Sequence, residues 1–274
     1  MPNPDPRTFP TWQPEPFPIT KTVSNWAVSL LELKGGVHGR SYPPQLPEPG
    51  EDWGFLLTFR LTEAGLPASD WAFAGVRGLA DASGQTTGRG SYASGGQGAG
   101  DYGAVIAGGL CLEESALRLI AEFTREKNFA GEEVWTVQGI PVPEESSSSR
   151  VEATNTLHGV QLRVVGISGL KCPGPDPRRS LSSYPVLNLT AVNLANDLEL
   201  KLVAAVDDQG RPALGGARAS SSPNHAFGLK LAPGARSVDV TLAVTRRITV
   251  EFLAKPTRMS AAEIQSLRKR LGYQ

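Results

Sequence analysis

The chain has 274 residues, 40% apolar and 20% charged, enough hydrophobic material for one large core or two ordinary ones and too little charge for a disordered chain. Lys+Arg and Asp+Glu each number 27, so the net charge is +0, which argues against nucleic acid as the main partner, since phosphate neutralisation needs clustered positive charge. Gly (30) and Pro (22) make up about a fifth of the chain, against a usual ~12%; this disfavours a helical protein and suits short strands joined by turns.

Residues 1–20 form a proline-rich arm, with prolines at 2, 4, 6, 10, 14, 16 and 18 interleaved with Phe9, Trp12 and Phe17. Proline fixes φ and lacks an amide donor, so the arm is extended and largely polyproline II. Composition alone also fits a disordered leader. Three large aromatics favour an arm pinned to a globular surface, its own or a partner's. The segment lacks the basic start and apolar stretch of a signal peptide. No run approaches the ~18 consecutive apolar residues of a membrane helix. The expectation is a cytoplasmic protein, or the soluble part of an exported or anchored one.

From Val23 onward the pattern alternates. Trp26, Val28 and Leu30, then Phe55, Leu57, Phe59 and Leu61, recur every second residue, as in strands with one face toward a core. Between them, residues 41–50 are too proline-rich for a helix. Residues 84–109 are glycine-rich but lack the lysine of a phosphate-cradling loop and the βαβ context of a dinucleotide fold. They read as a long hairpin tip or interaction loop, with Arg89 and Tyr92 able to grip a partner.

The same features occur twice. An apolar strand end runs into an Asp-x-x-Gly turn at 79–84 and again at 205–210. Leu117, Leu119, Ala121 and Phe123 match Val238, Val240, Leu242 and Val244, and both runs continue into Thr-Arg. Val134 to Val137, before Pro141, matches Val250 to Leu253, before Pro256. Residues 112–123 alone fit an amphipathic helix. Their counterpart, 237–245, is β-branched and alternating, so 117–124 is expected to be a strand.

The join at 144–153 carries a serine run flanked by charges and reads as a flexible tether. The expected organisation is an arm (1–20), two β-sandwich domains (21–143 and 154–256) around that tether, and a terminal helix (257–274). Size and rhythm point to an all-β fold of tandem Ig-like sandwiches, although the antibody Cys…Trp…Cys pattern is absent and a closed barrel remains an alternative for either half. Ser260 and Glu263 form a capping box ahead of Ile264, Leu267 and Leu271, whose apolar side packs on its own sandwich or on another chain.

The chemistry-bearing residues do not assemble into a site in sequence. Cys111 and Cys172 make no disulfide framework. His38, His158 and His225 are each isolated, whereas metal sites usually show a close ligand pair. Residues 207–210 lack the later acidic ligands of a calcium loop and read as a turn. Glu113-Glu114, Glu132-Glu133 and Glu144-Glu145 sit near turns, and Ser146 to Ser149 have no nearby base. The sequon at Asn188 lies in a predicted strand. Trp53 and Trp71 flank turns, where exposure is open.

The expected function is therefore non-enzymatic, with no cofactor and no metal: an accessory subunit that engages a protein partner, in a larger complex, through Phe9, Trp12, Phe17, Arg89, Tyr92, Ile264, Leu267 and Leu271. The alternative is a carbohydrate- or surface-binding module pair using Trp53 or Trp71.

Overall fold

The computed structural model describes residues 12–38, 53–82, 86–87, 92–98, 100–107, 116–144, 147–169 and 185–270. The described residues are nearly all β, with several antiparallel sheets and one short α-helix. The chain divides into two compact units, Met1–Thr124 with Ile248–Gln274, and Arg125–Arg247. The division differs from the one expected: residues 144–153 lie inside the second unit.

The first unit contains β1 (Ile19–Val23), β2 (Trp26–His38), β3 (Trp53–Glu63), β4 (Leu66–Pro67), β5 (Trp71–Ala80), β6 (Thr86–Thr87), β7 (Tyr92–Gly98), β8 (Asp101–Ala107) and β9 (Leu117–Arg125). One sheet runs β1-β2-β3-β8-β7, with β4 on β3, and β9 pairs with β5, which pairs with β6. The second unit contains β10 (Val134–Pro141), β11 (Ala153–Leu157), β12 (Val160–Ser168), β13 (Val186–Val192), β14 (Leu198–Asp207), β15 (Leu214–Ser221) and β16 (Asn224–Leu229). Its sheet runs β11-β12-β13-β16-β15. The long β17 (Ser237–Ala254) serves the second unit up to Arg247 and the first from Ile248. β18 (Thr257–Arg258) and α1 (Ala261–Arg270) end the described chain.

Each unit has its own hydrophobic cluster, built from both of its sheets. In the first, Phe59 of β3 stacks on Phe73 at 5.2 Å and meets Phe123 of β9 edge-on at 5.6 Å. Each such ring, fully buried, contributes ~1.5–3 kcal/mol. β9 alternates as its counterpart does, with Leu117, Leu119, Ala121 and Phe123 inward, so tertiary context overrides its helical propensity. Trp71 is only 5% exposed and lies 5.3 Å from Trp26, so it is core rather than surface. In the second unit, Leu162, Leu187 and Phe227 of one sheet cluster with Val240, Leu242 and Val244 of β17.

The described part of the expected tether is ordered. Ser149 N–H donates to the Ile167 carbonyl at 2.8 Å, and Val151 N–H to Val165 at 3.0 Å. The segment thus continues β11 along β12, and a Cβ on Gly166 would sit 2.0 Å from the Ser149 carbonyl oxygen. A serine run looks featureless because its bonds here are made mainly by the backbone.

The helix is held at both ends of its first turn. Ser260 N–H donates to Glu263 Oε2 at 2.8 Å, and Glu263 N–H donates to Ser260 Oγ at 3.3 Å, the reciprocal bonds of a capping box. Lys34 of β2 donates to Glu263 Oε1 at 2.9 Å. Ile264, 3% exposed, is buried with Val37, Leu56, Val105 and Met259 of the same unit.

Tyr102 of β8 donates through its hydroxyl to the carbonyls of Ala68 (3.0 Å) and Trp71 (2.7 Å). Burial first, then the charges of Asp101 and Asp70, push its phenol up to about 12. Tyr102→Phe removes the hydroxyl that serves both carbonyls, although Ala68 keeps the Trp71 N–H at 3.2 Å, and should lower the urea-unfolding free energy by about 0.5–1.5 kcal/mol. Glu263, bonded first to Lys34 and then to Ser260, is held down to about 2 from an ordinary 4.5. A depressed carboxyl stabilises the fold above its unfolded value and loses that contribution as the pH falls toward its folded one. The melting-temperature gap between wild type and Glu263→Gln should be full at neutral pH and close between pH 4.5 and about 2.

Candidate interaction surfaces

The arm is described from Trp12. Glu15 N–H donates to the Leu253 carbonyl at 3.0 Å, and the Glu15 carboxylate takes Lys21 Nζ at 2.7 Å, so this stretch docks on its own unit. Trp12 is half-buried, and Phe17 is 36% exposed. Phe9, Arg89, Leu271, Cys111 and Cys172 lie outside the described residues. Tyr92 is on β7, across from Ile106, and Leu267 is in α1, but their side chains lie outside what the structure describes. Ile264 is turned inward, where no partner reaches it while the helix is docked.

A surface that sequence reasoning missed lies on the second unit. The outward positions of its five-stranded sheet align as one row, Thr154–Arg163–Thr190–Asn224–Ser221, with one residue from each strand. The row is legible only once the register is known, because each strand contributes a single unremarkable polar residue. Beside it, Thr156, Gln161 and Val192 form the next row, and the hollow over β11, β12 and β13 measures about 700 Å³. A second hollow, of about 350 Å³, lies over Val165, Asn188, Ala219 and Ala226. Among the described side chains, the face offers hydroxyls, amides and the guanidinium of Arg163, which bonds Glu152 at 3.3 Å. Such a face suits an uncharged polar ligand better than an ionic one.

The β15–β16 hairpin also brings Ser220 Oγ to 3.1 Å from His225 Nδ1, at paired positions. A hydroxyl and an imidazole are two members of a nucleophilic triad, which further needs an orienting carboxylate and oxyanion donors. Ser220 is exposed and His225 buried, so the bond reads as one that satisfies a buried ring. His158 is the first residue of a tight turn, with φ 49°. Among the described residues, no group of three or more His, Cys, Asp or Glu converges to hold a metal.

The expected turn at 207–210 is present. Asp207 Oδ1 accepts from the backbone N–H of Arg211 (2.9 Å) and Gln209 (3.0 Å), and these bonds, the Arg211 one foremost, hold its carboxyl below the usual range. A denser charge cluster pins the middle of β17. Glu133 accepts from Arg125 (3.2 Å), from the Ala130 amide (2.8 Å) and from Thr245 (3.2 Å). Lys201 donates to the Arg125 carbonyl at 2.7 Å, and Glu199 lies between Lys201 (3.8 Å) and Arg247 (4.0 Å). Paired charges with little exposure and this many bonds fix geometry rather than await a ligand.

No helix among the described residues is long and apolar enough to cross a membrane. No family model matches the chain, and no curated protein matches it. Among solved structures it is similar to the conserved domain protein from Bacillus anthracis over 87% of this chain and 90% of that one, at 10% identity and a TM-score of 0.23. A similarity at that level carries neither fold nor function across.

Proposed function

We propose that the chain is a non-enzymatic binding protein built of two Ig-like β-sandwiches, an accessory subunit that engages another protein. Strand order supports the architecture. In the first unit β2-β3-β8-β7 form one layer and β5, β9 and residues 248–254 the other, the four-against-three order of a constant-type immunoglobulin domain with β1 added. The second unit repeats it with β12-β13-β16-β15 against β14, residues 238–246 and β10. The observation that carries the binding role is the polar row across all five strands of the second unit's sheet, and the first unit separately offers the exposed Phe17 of its arm. Ordered hydrogen-bonding groups on a rigid sheet bind at lower entropic cost than the same groups on a loop.

Carbohydrate is the second reading, favoured by the same neutral face of hydroxyls and amides. Trp71 no longer serves it, because that ring is buried. The two readings separate experimentally. If the chain is an accessory subunit, purification from its native source should give a complex, and Phe17→Ala with Asn224→Ala should weaken retention of the partner about tenfold without shifting the melting temperature. Recovery of the chain alone, with calorimetric heats on titrating oligosaccharides that vanish in Asn224→Ala, would favour the glycan reading instead.

A further inference from the structure

The two halves of the chain follow one plan up to their last strand. Each opens on a hairpin with a two-residue loop, Val23↔Trp26 and Leu157↔Val160, and each loop begins in left-handed backbone, at Ser24 (φ 56°) and His158 (φ 49°). The layer β1-β2-β3-β8-β7 recurs as β11-β12-β13-β16-β15. Five polar residues are buried among the described residues, and four of them fall at equivalent places. Asp81 directly follows β5 and Asp207 ends β14; Thr124 and Thr245 end the matched runs of β9 and β17. Burying a polar group is costly unless it is bonded, so the same cost at the same places marks a common plan.

The last strands are crossed. By sequence, β10 closes the first half and residues 250–253 close the second. By pairing, β10 lies on residues 237–243 of β17, from Val134↔Ala243 to Pro141↔Ser237, in the second unit. Residues 238–246 hold β14 on their other edge, so β9, which also borders β17, meets it beyond Arg246. There Arg118 donates to Glu251 at 2.7 Å, and Ile248, Val250, Phe252 and Ala254 enter the first unit's core. The cause is local. A hairpin returning 250–253 onto 237–246 needs turn residues, and Thr245, Arg246, Arg247, Ile248 and Thr249 include no Gly, Pro, Asn or Asp. The β-branched stretch runs straight on.

We infer that the protein is a duplicated β-sandwich whose halves have exchanged their final strands, so that each unit is a binding slot for a strand carried by the other half. The first unit takes 248–254; the second takes β10. Neither half completes a unit alone, because without 248–254 the first loses Phe252 and Val250 from its core and exposes an edge of β9.

Cutting the chain between the halves tests this. A protease site inserted between Glu145 and Ser146 should, once cleaved, leave two pieces that co-elute at the mass of the intact chain and part only in denaturant. Separation into two folded monomers in native buffer would overturn the inference. If the insertion prevents folding, a cross-link in the uncut chain decides. The hydroxyls of Thr136 on β10 and Thr241 on β17 lie 3.0 Å apart. Thr136→Cys with Thr241→Cys should oxidise to a bond within one chain, read as a mobility shift that reductant reverses and by peptide mapping. No such bond, or one found only between two chains, would overturn it.

Discussion

A strand in the middle of a sheet must satisfy its backbone donors and acceptors on both edges, and β9 meets that constraint with β5 on one side and β17 on the other. The rest of the first unit is arranged around this pairing. Phe123 of β9 meets Phe59, Phe73 and Tyr102 in one aromatic cluster, while Phe252 reaches the same cluster from β17. The chain that supplies 248–254 continues into β18, which lies parallel on β2, and into the helix that Ile264 anchors. The 248–254 strand, β18 and the helix are thus a single run of sequence laid on the first unit.

The second unit meets the same constraint from the opposite direction. Residues 238–243 are flanked by β14 and β10, and their side chains Val238, Val240 and Leu242 lie in a core that also takes Val137 and Ile140 from β10. The charge cluster of Arg125, Glu133, Glu199, Lys201 and Arg247 gathers where the chain enters and leaves this unit. Its placement is consistent with holding β10 and the middle of β17 in register, which apolar alternation alone specifies only to within two residues.

Much of the fold is legible in the sequence. Alternation identifies the strands, and comparison of 117–124 with 237–245 resolves a helix-prone segment correctly, because burial on one face outweighs propensity in a sheet. The capping box at Ser260 is readable for the same local reason. What alternation does not encode is the partner of each strand. β10 and 250–253 carry interchangeable patterns, so the crossing is visible only in the absence of turn residues after Thr245. The ordered 147–151 stretch escapes notice because its bonds are made largely by backbone, and Trp71 because a flanking turn says nothing about which way a ring points. The candidate surface is harder still. Thr154, Arg163, Thr190, Asn224 and Ser221 are scattered between positions 154 and 224, and only the register of five strands brings them into line.

The exchange of strands is tested most directly by interstrand amide contacts in nuclear magnetic resonance spectra of the intact, selectively labelled chain. The account predicts cross-peaks between β9 and residues 248–254, and between β10 and residues 237–243. Cross-peaks joining β9 to β10 instead would contradict it.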